Sequence, residues 1–360
     1  MSKVEKLGLR RRLALEIWRN LEGDNAKSHP LRQLFWECTL RCNLNCRHCG
    51  SDCKNVATQK DMPLEDFLGV LDNIAAHTDP HKVFVIVTGG EPLMRKDLEQ
   101  CGRATYDRGF PWGMVTNGLA LTRARFDALL ASGLHTATVS LDGLEDDHNY
   151  MRGNPHSFRT ASEAIAMMAA EKDFVFDVVT CVTQRNIDKL DTIKEHLLSL
   201  GCTHWRLFTV FPVGRGATDS TLQLTPQQMR QLMEYIAATR KEGRISAQYG
   251  CEGFLGAYEG EVRDRFFACQ AGVTVGSVLV DGAISACASI RADYHQGNIY
   301  NDDFWQVWNT RFESYRNREW MKKGACAECK FFRYCKGGAM HLRDGEGNLL
   351  LCHIEKLSAK

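Results

Sequence analysis

Short, nearly continuous apolar runs alternate with amphipathic stretches from residue 31 to about residue 245. Lys82-Val-Phe-Val-Ile-Val-Thr is the clearest run, with the composition of a strand covered on both faces. Similar strand signals occur from Leu31 to Cys38, Gly113 to Gly118, Thr136 to Gly143, Phe174 to Thr183 and His204 to Pro212. Helical spacing follows each of them, near 63–72, 96–108, 122–132, 157–171, 189–200 and 225–241. Pro63 suits a first helical turn. Six strand–helix units predict an α/β fold of parallel strands joined by right-handed crossovers, with ligands at the C-terminal strand ends. Periodicity leaves open whether such a sheet closes into a barrel. Before it, Leu9, Leu13, Ile17 and Leu21 recur every fourth residue and predict a helix that Gly23 ends. After about residue 245, glycines, aromatics and cysteines replace the long periodic segments. The expected organisation is an N-terminal helical segment (1–30), an α/β core (31–245) and a small, irregular, cysteine-rich C-terminal domain (246–360).

Composition narrows the function. The 360 residues are 44% hydrophobic and 25% charged, as in ordinary globular chains. A formal net charge of +1 does not favour nucleic acid or an anionic membrane, and the arginines at 10–12 read as a solvated face. The N-terminus has no signal-peptide run, and no stretch approaches the ~20 apolar residues of a membrane span. Fifteen cysteines in such a chain are better read as metal ligands than as disulfides, in a cytoplasmic protein.

The first cysteine cluster is Cys42-Asn-Leu-Asn-Cys46-Arg-His-Cys49, at the end of the first predicted strand. Four-iron clusters normally take four thiolates, so a loop supplying three leaves one iron open to a substrate or cofactor. A zinc knuckle is the alternative, with flanking Cys38 or Cys53 completing it, although zinc favours Cx2C pairs. One strand later comes Gly89-Gly90-Glu91-Pro92, where paired glycines allow close backbone approach and Glu91 can accept from an ammonium. Ser140-Leu-Asp142-Gly143 closes the fourth strand, and Arg152 follows in His148-Asn-Tyr-Met-Arg152. Cys101, Cys181 and Cys202 fall within helical or strand pattern and read as small buried hydrophobes.

These motifs resemble the radical S-adenosylmethionine (radical SAM) superfamily. The resemblance implies a partial (β/α)6 TIM-like barrel and a four-iron cluster on Cys42, Cys46 and Cys49. It further implies cofactor contacts from His48, Gly89, Gly90, Glu91, Pro92, Ser140, Asp142 and Arg152, and formation of a 5′-deoxyadenosyl radical.

The C-terminal segment holds a second array. Cys269 is followed by twelve residues, Gly282, four residues and Cys287, then by Cys326-x2-Cys329-x5-Cys335 and Cys352. This is similar to the SPASM extension of radical SAM enzymes, which carries two auxiliary four-iron clusters. By that resemblance Cys326, Cys329, Cys335 and Cys352 hold one complete auxiliary cluster, a foursome that would also suit zinc. The other would use Cys269, Cys287 and a cysteine at 339, where this chain has alanine. Cys251, in Tyr249-Gly-Cys251-Glu-Gly, is a candidate replacement and would leave an open or non-standard ligand position; a buried structural thiol is its other reading.

The resemblance implies an enzyme that abstracts hydrogen from a peptide or protein residue and oxidises or crosslinks it, fed by a donor such as flavodoxin or ferredoxin. Modification of a tetrapyrrole or other small cofactor precursor is the alternative. An iron–sulfur electron carrier or structural zinc protein is the non-enzymatic one, which Gly89 to Pro92 argue against. Ala288, directly after Cys287, disfavours formylglycine formation, where relatives place an acidic residue.

Overall fold

The computed structural model describes residues 3–359. Its centre is one ten-stranded sheet. The predicted alternation is present. Helix α1 (Leu9–Ser28) leads to β1 (Gln33–Thr39), α2 (Leu64–Ala75), β2 (Phe84–Gly89), α3 (Leu98–Asp107), β3 (Trp112–Thr116), α4 (Arg123–Ala131) and β4 (Leu134–Ser140). Then come α5 (Glu145–Arg152), α6 (Ser157–Ala169), β5 (Val175–Val182), α7 (Leu190–Ser199), β6 (His204–Thr209) and α8 (Pro226–Glu242). Neighbouring strands from β1 to β6 pair in parallel. This is the α/β core of a partial TIM-like barrel. Core packing holds the helices to it: Trp36 of β1 stacks on Phe67 of α2 with ring centroids 4.2 Å apart, both fully buried. Such a pair adds about 0.5–1.5 kcal/mol beyond its burial.

Beyond the core the chain continues the sheet at both ends. Strand β7 (Ser246–Tyr249) adds in parallel to β6, and β8 (Val275–Val278) adds in parallel to β1. Strands β9 (Ala283–Ser285) and β10 (Gly297–Asn298) follow as antiparallel partners. Helices α9 (Phe304–Thr310), α10 (Glu313–Arg316), α11 (Phe332–Cys335) and α12 (His353–Ser358) complete the cysteine-rich segment.

One expectation for α1 is corrected. Gly23 does not end the helix; an added Cβ there would meet nothing, so the position is open helix surface. The stop lies at His29, at a left-handed φ of 32°, whose N–H bonds back to Asn25 O at 2.7 Å. The helix also docks by the opposite face. Leu15 is buried and Trp18 donates to Phe267 O, while Leu9, Leu13, Ile17 and Leu21 are all exposed. Helix α5 was not predicted, because its Glu-Asp-Asp start carries no apolar period.

Candidate active site and metal centres

The cysteine loop leaves the end of β1 and is tied back by Cys42 N–H to Lys54 O at 2.8 Å. Cys42 and Cys46 are buried and Cys49 is half-buried. Burial pushes the Cys42 thiol up to about 12, with Glu91, Cys46 and Cys49 adding to it. Cys49 goes the other way, to about 5, because the Cys53 thiol hydrogen-bonds to it and outweighs burial. The loop therefore contains one thiol ready to ionise and others that need a cation to do so.

The end of β2 is pressed against this loop. Gly90 N–H donates to Thr39 O at 2.8 Å and Glu91 N–H to Arg41 O at 2.9 Å. A Cβ on Gly89 would lie 2.1 Å from Thr39 O, and one on Gly90 2.3 Å from Arg41 O. Gly89 also has φ +137°, outside the range of ordinary side chains. So both glycines serve a backbone-to-backbone approach that seats the loop. Glu91 is buried and caps the short turn Pro92–Met94. Its Oε1 accepts from Leu93 N–H at 3.1 Å and Thr116 Oγ1 at 2.8 Å, and its Oε2 from Asn117 N–H at 2.7 Å. A carboxylate offers about four acceptor directions, so Oε2 retains one.

Across the cavity, Asp142 at the end of β4 is fully buried and its Oδ2 lies 2.7 Å from Arg152 Nε. Its Oδ1 accepts from Cys181 N–H at 3.0 Å. Burial works against this charge, but Arg152, then His48 and His148, hold the carboxyl down at about 2. Arg152 also directs Nη1 to Cys46 Sγ at 3.7 Å, so α5 links the Asp142 strand end to the cysteine loop. His48 Nε2 sits 3.6 Å from Asp142 Oδ2; burial lowers its imidazole to about 4 and keeps it neutral. Ser140 lines the same space. That space is a cavity of about 400 Å³ at the C-terminal ends of the parallel strands, reached by Cys42, Cys46, Cys49, Glu91, Ser140 and Arg152. Asp142 and Pro92 stand behind this wall.

The C-terminal cysteines form two groups. Cys326, Cys329, Cys335 and Cys352 all line one small cavity of about 40 Å³, walled by Phe331 and Phe332. Burial pushes Cys335 up to about 12, and Cys352, Cys326 and Cys329 each add to the rise. Four thiols lining one small cavity fit a four-iron cluster. Elsewhere, Cys251 is exposed, yet the protein packed around it raises its thiol to about 12, with Cys287 and then Cys269 contributing. At Cys269 burial is outweighed by the Arg318 guanidinium and by N–H groups of Met340 and Ala271, which lower the thiol. Cys251, Cys269 and Cys287 thus share one neighbourhood. Ala339 is fully buried beside Cys269 and offers no donor.

Several residues at these sites carried no recognised sequence signal. Arg215 clamps the loop from beyond β6, with Nε to Cys46 O at 2.7 Å and Nη1 to Asp52 Oδ1 at 2.6 Å. Asn117 donates to Asn43 Oδ1 at 2.8 Å; its polar turn after β3 was the available hint. Cys181, read as a buried hydrophobe, lines the cavity, as does Arg206. Arg291, four residues after Cys287, reaches Glu37 of β1 at 2.7 Å and also lines the cavity.

Family comparisons agree with this arrangement. Residues 36–197 match the radical SAM superfamily, and residues 269–330 match an iron–sulfur cluster-binding domain, SPASM. The chain belongs to the radical SAM superfamily and is an enzyme of its SPASM type. It is 26% identical over 334 residues to the AdoMet-dependent heme synthase of Methanosarcina barkeri, covering 87% of this chain and 92% of that one. It is 29% identical over 316 residues to the mycofactocin maturase MftC of Mycolicibacterium smegmatis, covering 85% and 77%. In fold it is similar to Streptococcus suis SuiB bound to S-adenosylmethionine, with a TM-score of 0.66 and 17% identity over 88% of this chain and 76% of that one. Among the described residues no helix is long and apolar enough to cross a membrane.

Proposed function

We propose that this enzyme abstracts hydrogen from a residue of a peptide or protein and oxidises or crosslinks it. The observation that carries this reading is the size of the cavity beside Cys42, Cys46 and Cys49. Its volume of about 400 Å³ lies near the low end of the ~300–1,000 Å³ that a single drug-sized ligand needs. With S-adenosylmethionine in place, the remaining room suits one inserted side chain better than a whole macrocycle.

Cys42, Cys46 and Cys49 would hold a four-iron cluster, and Gly89 to Pro92, His48, Ser140 and the Asp142–Arg152 pair would bind the cofactor. Together the cluster and S-adenosylmethionine supply a 5′-deoxyadenosyl radical. The chain's own residues do the rest. The free acceptor direction on Glu91 would take an ammonium, neutral His48 offers an apolar ring face, and Arg152 fixes Cys46 while remaining paired to Asp142. Cys326, Cys329, Cys335 and Cys352 hold an auxiliary four-iron cluster. A one-electron carrier such as flavodoxin or ferredoxin reduces the protein in the cytoplasm.

A small tetrapyrrole precursor is the second reading. It is supported by the full-length match to relatives named as heme synthases and by two guanidiniums, Arg206 and Arg291, in the cavity wall, which suit substrate carboxylates. The test is anaerobic incubation of the reconstituted chain with S-adenosylmethionine, a reductant and either peptides encoded beside its gene or an iron porphyrin carrying propionates. Mass spectrometry should find a dehydrogenated or crosslinked peptide. Conversion of the porphyrin with every peptide unchanged overturns the peptide reading.

A further inference from the structure

The first auxiliary site lacks the thiolate expected at position 339, and the next residues show what stands in its place. Met340 N–H contacts Cys269 Sγ, so the turn Met340–Leu342 lies directly against that site. His341 is the middle residue of this turn. Its side chain is buried, and its Nε2 is fully enclosed with no hydrogen-bond partner. A buried polar atom left unpaired costs about 1–3 kcal/mol, so an orphan of this kind asks for a missing partner. The ring is braced on Phe211 with centroids 4.2 Å apart. Glu252, the neighbour of Cys251, and His353 act on it electrostatically. The turn thus touches Cys269 through Met340, its imidazole lies near Glu252, the residue after Cys251, and Nε2 keeps one unused lone pair or proton.

We propose that His341 Nε2 is an iron ligand of the first auxiliary site, taking the coordination position that a cysteine at 339 would fill and closing a set of Cys251, Cys269 and Cys287. Neutral imidazole is a normal partner for iron, and replacing thiolate by imidazole on an iron–sulfur centre raises its potential. A site closed in this way has no open iron for substrate. It acts as an electron relay of higher potential than the all-thiolate site formed by Cys326, Cys329, Cys335 and Cys352. The inference rests on Cys251, Cys269 and Cys287 holding an auxiliary cluster, so its test must separate the two.

The full chain carrying Cys42→Ala, Cys46→Ala and Cys49→Ala retains only auxiliary clusters. It would be produced with ¹⁴N- or ¹⁵N-labelled histidine, reconstituted anaerobically, reduced and examined by pulsed electron paramagnetic resonance. The expected result is a strong nitrogen coupling that changes with the isotope and disappears in His341→Ala. In His341→Cys the coupling should vanish while the iron content stays at the parent level, because a thiolate takes the position. Adding Cys251→Ala and Cys269→Ala should remove about four irons. If that pair leaves iron unchanged, no first auxiliary cluster exists and both readings fall. If iron is lost but the parent shows no histidine coupling, or the coupling survives His341→Ala, only the histidine ligation is overturned.

Discussion

Asp142 carries its charge where water does not reach it, and Arg152 is the reason it can. Removing one member of such a pair leaves the other buried and uncompensated, at a cost of about 3–5 kcal/mol. Arg152→Met should therefore lower unfolding free energy by about that amount in urea titrations, and Asp142→Asn added to it should recover part of the loss. A loss below about 1 kcal/mol would show that the pair is solvated. Beside the buried His48 and His341, His148 contributes to the acid response. Its Nδ1 accepts from Asp142 N–H at 2.9 Å, and burial depresses the imidazole to about 3 from 6.5. Because the folded value is the lower one, the unfolded chain binds the proton first. Stability is then complete above pH 6.5 and falls as the pH drops, by about 1.4 kcal/mol per unit for this one group. Anaerobic urea titrations between pH 6.5 and 5 should show this slope, and His148→Asn should flatten it by one proton; an unchanged slope excludes His148. At this scale the sequence was most legible where partners lie close together, as with Asp142 and Arg152. It was least legible where they are far apart. Glu252 and His353, with Nε2 and Oε2 3.3 Å apart, and Arg215 over Cys46 are joined only by the fold.

The end of β2 shows how an element, rather than a residue, positions the chemistry. Gly90 has ordinary backbone angles but no room: its absent Cβ is replaced by the carbonyl of Arg41, one residue before Cys42. Gly90→Ala should push the cysteine loop off the strand end. The expected result is loss of about four irons and of S-adenosylmethionine cleavage, with the auxiliary iron retained. Full iron in this variant would show that the loop seats itself without β2. Helix α1 gives the opposite lesson. Its apolar period was plain in the sequence, yet period alone does not say which face docks, and neighbouring Phe267 and the α11 residues select the Leu15 side. Leu15→Ala should thus cost about 2–5 kcal/mol, whereas Leu13→Ala, on the exposed stripe, should stay within about 0.5 kcal/mol. Thermal or urea unfolding of the two variants distinguishes these faces. Helix α5 was missed for a related reason: Asp147, His148, Met151 and Arg152 are its buried residues, and three of them are polar.

At the scale of the whole molecule, the boundary expected near residue 245 is crossed by the sheet. The composition change there is real, but hydrogen bonding ignores it: β7 extends one end and β8 the other, and β8 pairs with β1 over Gln33 to Trp36. One apolar core runs through both parts, joining Trp36 and Leu34 to Val278, Ile284, Phe304 and Trp308. The pairing of β8 with β1 was not legible because four-residue strands among glycines leave almost no period to read. Its functional consequence is direct. The segment after Cys287 places Ala288, Ser289 and Arg291 in the cavity wall, so the cysteine-rich part closes the space beside the Cys42 loop. A chain cut after residue 245 would lose that wall and leave β1, with Leu34, Trp36 and Cys38 on one face, as a bare edge open to pairing with other chains. Residues 1–245 expressed alone should therefore aggregate or lack fixed tertiary structure, read by size exclusion and near-ultraviolet circular dichroism. A monodisperse, cooperatively unfolding fragment would show that the core stands by itself and that the second part merely docks on it.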